Sequence, residues 1–480
     1  MAKLVAIGDS LTQGFQSGAI FRTDWSFPVM IARSMGLSLK SDFIVPEFVG
    51  SGLPLNLEFA LQEMAKELGT EVDLREWMIQ FPSLLMQFMN KTENLYERGI
   101  GSKPVNYEGI YHNLAVWGFR VSDSFQLNSN NAQAEIEQQE GWFQDDFLGL
   151  PSGAMYRTAQ QVLNPNLQPE RMSWTQLNNL RKIVNQEQGK LDNLILWLGS
   201  NDCLGTVLEL NLNDMAEEEF LLKDDHPVGR RKYNLTDPQI FQQDFQRLIE
   251  YVEQIIPHHT QVFVATIAHV TIPPVTTGIP PFDGEYFQYY SRFFAREYNF
   301  DPWLHKHITG EEAKKIDQRI DIFNHIIQDL LAAKSNWHIV DICKILDELA
   351  VKRNECTDSP ELPLKNYYKN QGIDNHPLLQ LDPIPSILSL RLEKGKRVGG
   401  GLFSLDGVHP STIGYGIIAE AFLQVMKEKG VADADPRYLN WDDIIAHDTL
   451  LQTPPIFWER IIEAAQQNAT LWEVLLNTIY

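Results

Sequence analysis

Three cysteines in 480 residues, Cys203, Cys343 and Cys356, are too few and too scattered for a disulfide framework, and none stands in the Cys-x-x-Cys spacing of a structural zinc site. A reducing compartment suits such a chain. Basic residues are also in short supply: 40 Lys and Arg against 63 Asp and Glu give a formal net charge of −23. That charge repels phosphate backbones and anionic lipid surfaces, so nucleic acid is not an expected partner. Long apolar runs are missing too. The stretch near the N-terminus covers only about five residues, short of the roughly 7–15 of a signal-peptide core, and no window approaches the ~20 residues of a membrane helix. The expectation is therefore a cytoplasmic protein without a transmembrane segment. No Gly-x-Gly-x-x-Gly or Walker sequence follows the first apolar run, which argues against a nucleotide binder and leaves no cofactor expected. Repeats of 20–50 residues and Gly/Ser-rich linkers are absent as well.

What is present is an ordinary globular composition, 44% hydrophobic and 21% charged, with enough apolar material for a large core. Short runs rich in Val, Ile and Leu recur at residues 4–7, 194–198, 262–267 and 339–342, and a more mixed one lies at 113–116. Runs of that length and composition are expected to be buried parallel strands. Between them, Ile316, Ile320, Phe323, Ile327 and Leu330 step by three or four residues behind Thr309 and Glu312, the positions of a capping box. Strands alternating with helices predict a three-layer αβα domain, doubly wound around a parallel sheet, with its ligand site at the carboxyl ends of the strands. The domain is expected to span residues 1–430, with insertions near 16–111, 205–257, 271–309 and 344–402 that cover its active face. A helical extension follows over 431–480, where Ile461, Ile462, Leu471, Leu475 and Ile479 keep helical spacing.

Four short motifs fall at strand ends. The first strand runs out in Ile7-Gly8-Asp9-Ser10-Leu11, which places Ser10 at a strand-to-helix junction where free backbone N–H groups stabilise anions. Gly-Asp-Ser is also common turn chemistry, so the motif does not stand alone. In Asp406-Gly407-Val408-His409-Pro410-Ser411 the carboxylate precedes the imidazole by three residues, a spacing that lets Asp406 orient His409 as a base; Ser411 would equally cap the helix that follows. Asn201, in Gly199-Ser200-Asn201-Asp202, offers an amide to a developing oxyanion, and Gly118, lacking a Cβ, lets its N–H approach a substrate oxygen closely. Each of these two has a turn as its plainer reading.

Ser, Gly, Asn and Asp-x-x-His in that chain order resemble the four blocks of the SGNH or GDSL hydrolases. The resemblance implies a flavodoxin-like αβα fold with Ser10 as nucleophile and Asp406 and His409 completing a triad. It further implies an oxyanion hole formed by the Ser10 N–H, Gly118 and Asn201. The implied reaction is hydrolysis of a carboxylic ester, whether of a small molecule, a lipid or an acylated sugar, with no metal. Acyl transfer by the same residues and a non-catalytic binding role are the alternatives. Trp117, where many members carry a small residue or proline, and the long stretch between Ser10 and Gly118 both depart from the compact pattern and point to a reshaped, capped pocket. Thr12 stands where a Gly-x-Ser-x-Gly elbow needs its second glycine, which argues against the α/β-hydrolase alternative.

Ten of the 22 residues from Phe282 to Trp303 are aromatic, a concentration that could line an acyl or glycan site, although an inserted helix packing its rings on the core is the favoured expectation there. His258, His259, His305 and His307 lack Cys, Asp or Glu partners at ligand spacing, so no metal is expected on them. The run Glu217-Glu218-Glu219 reads as a solvated helix face.

Overall fold

The computed structural model describes residues 2–69, 74–139, 150–217, 227–295, 300–351, 354 and 358–467. Cys356, Glu218, Glu219, Leu471, Leu475 and Ile479 lie outside them. The strands in chain order are β1 (Ala2–Gly8), β2 (Ala19–Ile20), β3 (Leu53–Pro54), β4 (Leu191–Trp197), β5 (Gln261–Ala265), β6 (Thr276–Phe282), β7 (Phe287–Arg292), β8 (Ile308–Thr309), β9 (Trp337–Val340), β10 (Arg391–Glu393) and β11 (Lys396–Gly399). Four of them form one parallel sheet in the order β1-β4-β5-β9, pairing Gly8 with Trp197, Ile195 with Phe263 and Val264 with Ile339.

Alternate residues of these strands feed two separate cores, as a sheet covered on both faces requires. Val5, Ile7, Leu194, Leu196, Val262 and Val264 point into a core completed by the helices Gln176–Gln186, Pro238–Glu253 and Gly310–Leu331. Leu4, Ala6, Ile195, Trp197, Phe263 and Ala265 point the other way, onto Phe27–Ser34 and Thr412–Glu428. This is the three-layer αβα arrangement. The capping box at Thr309 and Glu312 opens the long helix Gly310–Leu331, with Ile316, Ile320, Phe323 and Ile327 fully buried.

The run at 113–116 departs from expectation. It lies along the free edge of β1, where the Leu114 and Val116 N–H groups donate to the Ala6 and Gly8 carbonyls at 2.8 and 3.2 Å. Only one bridge, Ala6 with Asn113, has strand geometry. Side-chain amides supplement these backbone bonds: Asn113 Oδ1 accepts from Ala115 N–H at 3.1 Å, and Gln176 Nε2 donates to the Leu114 and Gly8 carbonyls at 2.8 and 3.0 Å. The chain thus leaves β1 for one side and returns to β4 on the other. That reversal is the switch point at which such sheets bind ligands, and Ser10 stands at its mouth.

The aromatic segment is not a helix. It forms the hairpin β6–β7, extended by β8, because Pro280-Pro281 blocks helical hydrogen bonding and the rings suit a pleated surface. Phe282, Phe287, Tyr290, Phe293 and Phe294 face a cavity of about 590 Å³ shared with the loop at 387–391 and the C-terminal helix Trp458–Gln467. That helix is anchored by Trp458, whose indole stacks on Phe293 at 5.8 Å and donates to the Leu390 carbonyl at 3.0 Å.

Phe422, fully buried, stacks on Phe27 at 4.9 Å beneath Trp197. Phe422→Ala should therefore cost about 3–5 kcal/mol of unfolding free energy, read from the midpoint of urea denaturation.

Candidate active site

Residues from the two ends of the chain meet at the carboxyl edge of β1. Ser10 opens the short helix Ser10–Gln13, capped by Asp9, whose carboxylate accepts from Leu11 N–H at 3.1 Å. His409 Nε2 lies 2.9 Å from Ser10 Oγ, and His409 Nδ1 lies 3.1 Å from Asp406 Oδ2. All three side chains are buried, Asp406 completely.

The protonation pattern follows from the Asp406 surroundings. Burial alone would raise its pKa, but the adjacent imidazole of His409 and the backbone N–H groups of His409 and Val408, at 2.9 and 2.8 Å, hold it below the usual carboxylate value. An ionised carboxylate only accepts. The proton on His409 therefore sits on Nδ1, and Nε2 is the nitrogen that accepts from Ser10 Oγ. Gly407 makes the turn between the two at φ +73°, where a Cβ would come within 2.9 Å of the Val275 nitrogen. Both the angle and the space demand glycine there. Ser411 accepts from Gly414 N–H at 3.3 Å and caps Thr412–Glu428, so the Asp-x-x-His loop serves the helix as well as the site.

Ser10, Gly118, Asn201 and His409 line one cavity of about 420 Å³, together with Arg120, Met155, Leu204 and Arg231. Gly118 adopts φ +76°, and a Cβ would meet Met155 Sδ at 2.8 Å. Its carbonyl is drawn outward by Arg231 Nη1 at 3.1 Å, while Arg231 Nη2 pairs with buried Asp123. Among the described residues neither the Gly118 N–H nor the Ser10 N–H has a protein acceptor. Asn201 is more committed than its motif suggests. Its Nδ2 donates to the Phe119 carbonyl at 2.9 Å and, less closely, to Asp9 Oδ2 at 3.3 Å. Asp202 accepts from Val121 N–H at 3.2 Å and Thr236 Oγ1 at 2.9 Å, which pins the loop carrying Gly118 to the end of β4.

A second, smaller cavity of about 110 Å³ also reaches Ser10 and His409, with a nearly all-apolar wall that includes Leu11, Val270, Ile345, Leu346 and Leu402. Neither the arginines of the first cavity nor this apolar wall was singled out from sequence, because no local pattern marks them. Trp117 borders the larger cavity. Its N–H donates to Gln13 Oε1 at 2.9 Å and its indole to Thr158 at 3.0 Å, and it packs on Phe15 at 5.5 Å; Phe15 in turn backs the His409 ring at 4.5 Å. The surface histidines take packing and turn roles: His307 meets Tyr289 edge-on at 4.9 Å, and Asp301 N–H donates to His305 at 2.9 Å.

Two buried carboxyls flank the site. Burial pushes Asp9 up to about 7, with the Leu11 N–H opposing and Asp202 adding to the rise. Glu58, also pushed up to about 7 by burial, accepts from Ser17 Oγ at 2.5 Å; the Ser17 N–H donates to Ser404 at 2.8 Å, and the Gly18 N–H to Asp406 at 3.0 Å.

The family described as GDSL-like Lipase/Acylhydrolase matches the chain over residues 4–422, a span that contains every residue of this site, and the chain belongs to that family. No curated protein matches it at significant sequence similarity. No described helix is long and apolar enough to cross a membrane.

Glu58 retains its proton in the fold at pH values where the unfolded chain, with an ordinary value of 4.5, has lost it. Its stabilisation is thus fully present below pH 4.5 and is lost as pH rises through about 7. Glu58→Gln should flatten the fall of the melting temperature between those two pH values. An unchanged slope would show that Glu58 ionises freely in the fold.

Proposed function

We propose that the protein is a serine ester hydrolase working through an acyl-enzyme on Ser10. The observation that carries this reading is the continuous relay from Asp406 through His409 to Ser10, at 3.1 and 2.9 Å. His409 Nε2 takes the Ser10 proton as Oγ attacks the ester carbonyl, and the imidazolium, held by Asp406, returns it to the departing alkoxide. Water, deprotonated by His409 in the same way, then releases the acid. The Ser10 and Gly118 N–H groups stabilise the tetrahedral oxyanion, and Asn201 Nδ2 joins them by turning its weaker bond from Asp9 to the substrate oxygen.

The two cavities meeting at Ser10 suit the two halves of an ester. We assign the acyl group to the narrow apolar side and the alcohol to the larger, arginine-bearing side. The size of the latter admits an acceptor alcohol in place of water, which keeps acyl transfer as a second reading; product analysis with added alcohol separates the two.

Hydrolysis of a p-nitrophenyl ester series from acetate to palmitate tests the proposal. Wild-type protein should turn over part of the series and Ser10→Ala none of it above background; equal rates for both would exclude Ser10 as nucleophile. Asn201→Ala should lose about 10²–10³ in kcat if its amide meets the oxyanion, and retained turnover would return Asn201 to a loop-pinning role.

A further inference from the structure

One cluster of reactive side chains stands outside the serine relay. His269, on the loop after β5, and Cys343 and Asp347, one turn apart on the helix Ile342–Leu349, bring a ring nitrogen, a sulfur and a carboxylate oxygen within 4.8 Å of one another. From the convergence of these three donors we propose that His269, Cys343 and Asp347 form a zinc-class divalent metal site, which staples that loop to that helix.

The geometry supports this in detail. Tetrahedral zinc with its usual bond lengths sets nitrogen and sulfur ligands about 3.6 Å apart. His269 Nδ1 and Cys343 Sγ are 3.6 Å apart. Nδ1 and Asp347 Oδ1, at 2.8 Å, stand at hydrogen-bond distance. Loading a metal would open that pair by about half an ångström, to the roughly 3.4 Å of a nitrogen–oxygen edge. The other ring nitrogen, Nε2, lies 3.2 Å from Asp321 on the long helix Gly310–Leu331, the carboxylate–histidine pairing that orients metal-bound imidazoles. A mixed N, S and O set excludes the hard cations magnesium and calcium and suits zinc or cobalt.

The donors are held on firm supports. Asn324 bonds both the N–H and the carbonyl of Ile267, each at 2.8 Å, fixing the loop that carries His269. Thr266 Oγ1 accepts from Cys343 N–H at 2.9 Å and donates to Asp341 at 3.0 Å, fixing the start of the helix. His269 and Cys343 are buried, whereas the Asp347 side chain is 38% exposed, which provides an entry path and room for water as a fourth ligand. His269, Ile345 and Leu346 also line the narrow apolar cavity beside Ser10, so the bound ion would stiffen one wall of it without touching the serine. The site itself does not depend on the ester-hydrolase reading.

Cobalt(II) titrated into chelator-stripped, full-length protein tests the assignment. Wild-type and Ser10→Ala protein should each develop a thiolate-to-cobalt charge-transfer band that saturates at one equivalent, and zinc should displace the cobalt and raise the melting temperature. Cys343→Ser should abolish the band, and Asp321→Asn should weaken cobalt binding about 10–100-fold. Absence of a thiolate band in wild-type protein, whose folding is not in question, would overturn the proposal. So would equal zinc stabilisation of wild-type and Cys343→Ser protein.

Discussion

The carboxylate of Asp406 is the point on which the arrangement around Ser10 depends. A fully buried charge is tolerated only where donors surround it, and here they come from two distant segments: backbone N–H groups of Val408 and His409, the His409 ring, and the N–H of Gly18 just after the helix that Ser10 opens. Withdraw those donors and the carboxyl would hold a proton and lose its hold on His409 Nδ1. The neighbouring bonds from Ser17 to Ser404 and Glu58 hold the two segments together, so one electrostatic requirement fixes both backbone position and imidazole orientation.

The sheet was legible because parallel strands covered on both faces must be apolar throughout, and the runs around Val5, Ile195, Phe263 and Ile339 are. The same logic failed at residues 113–116, where Asn113 and Gln176 satisfy the backbone through side chains that no periodicity reveals. It failed again between Phe282 and Arg292, where counting aromatic residues gave no period and the prolines at 280 and 281 were the better guide to an extended chain. The candidates Ser10 and Asn201 could be picked out because each sits in a short motif just after a strand, and Gly118, Asp406 and His409 because each sits in a short loop motif. Glu58 is one acidic residue in an amphipathic helix, Leu57–Leu68, and only its burial distinguishes it. His269 is 74 positions from Cys343, so their proximity is a product of the crossover between β5 and β9.

The sheet supplies the position of Ser10, but the excursions from it supply the walls. Met155, Leu204 and Arg231 shape one cavity; Val270, Ile345 and Leu402 shape the other. The C-terminal helix joins in from a distance, since Trp458 shares a core with Phe15, the ring behind His409. Changes in what the two cavities admit can therefore arise in these segments while Ser10, His409, Asp406 and the sheet beneath them stay the same.

Ser10 and His409 are separated by 399 positions in the chain. At ordinary rates of synthesis of 5–20 residues per second, roughly 20–80 s pass between the appearance of one and of the other. During that interval, on the reading proposed for Ser10, the nascent chain would carry a serine with no base to activate it. On the same reading, a product truncated anywhere before Asp406 would be equally inert, so the acyl-enzyme chemistry would be acquired only once the distant Asp406–His409 loop has folded back onto the first strand.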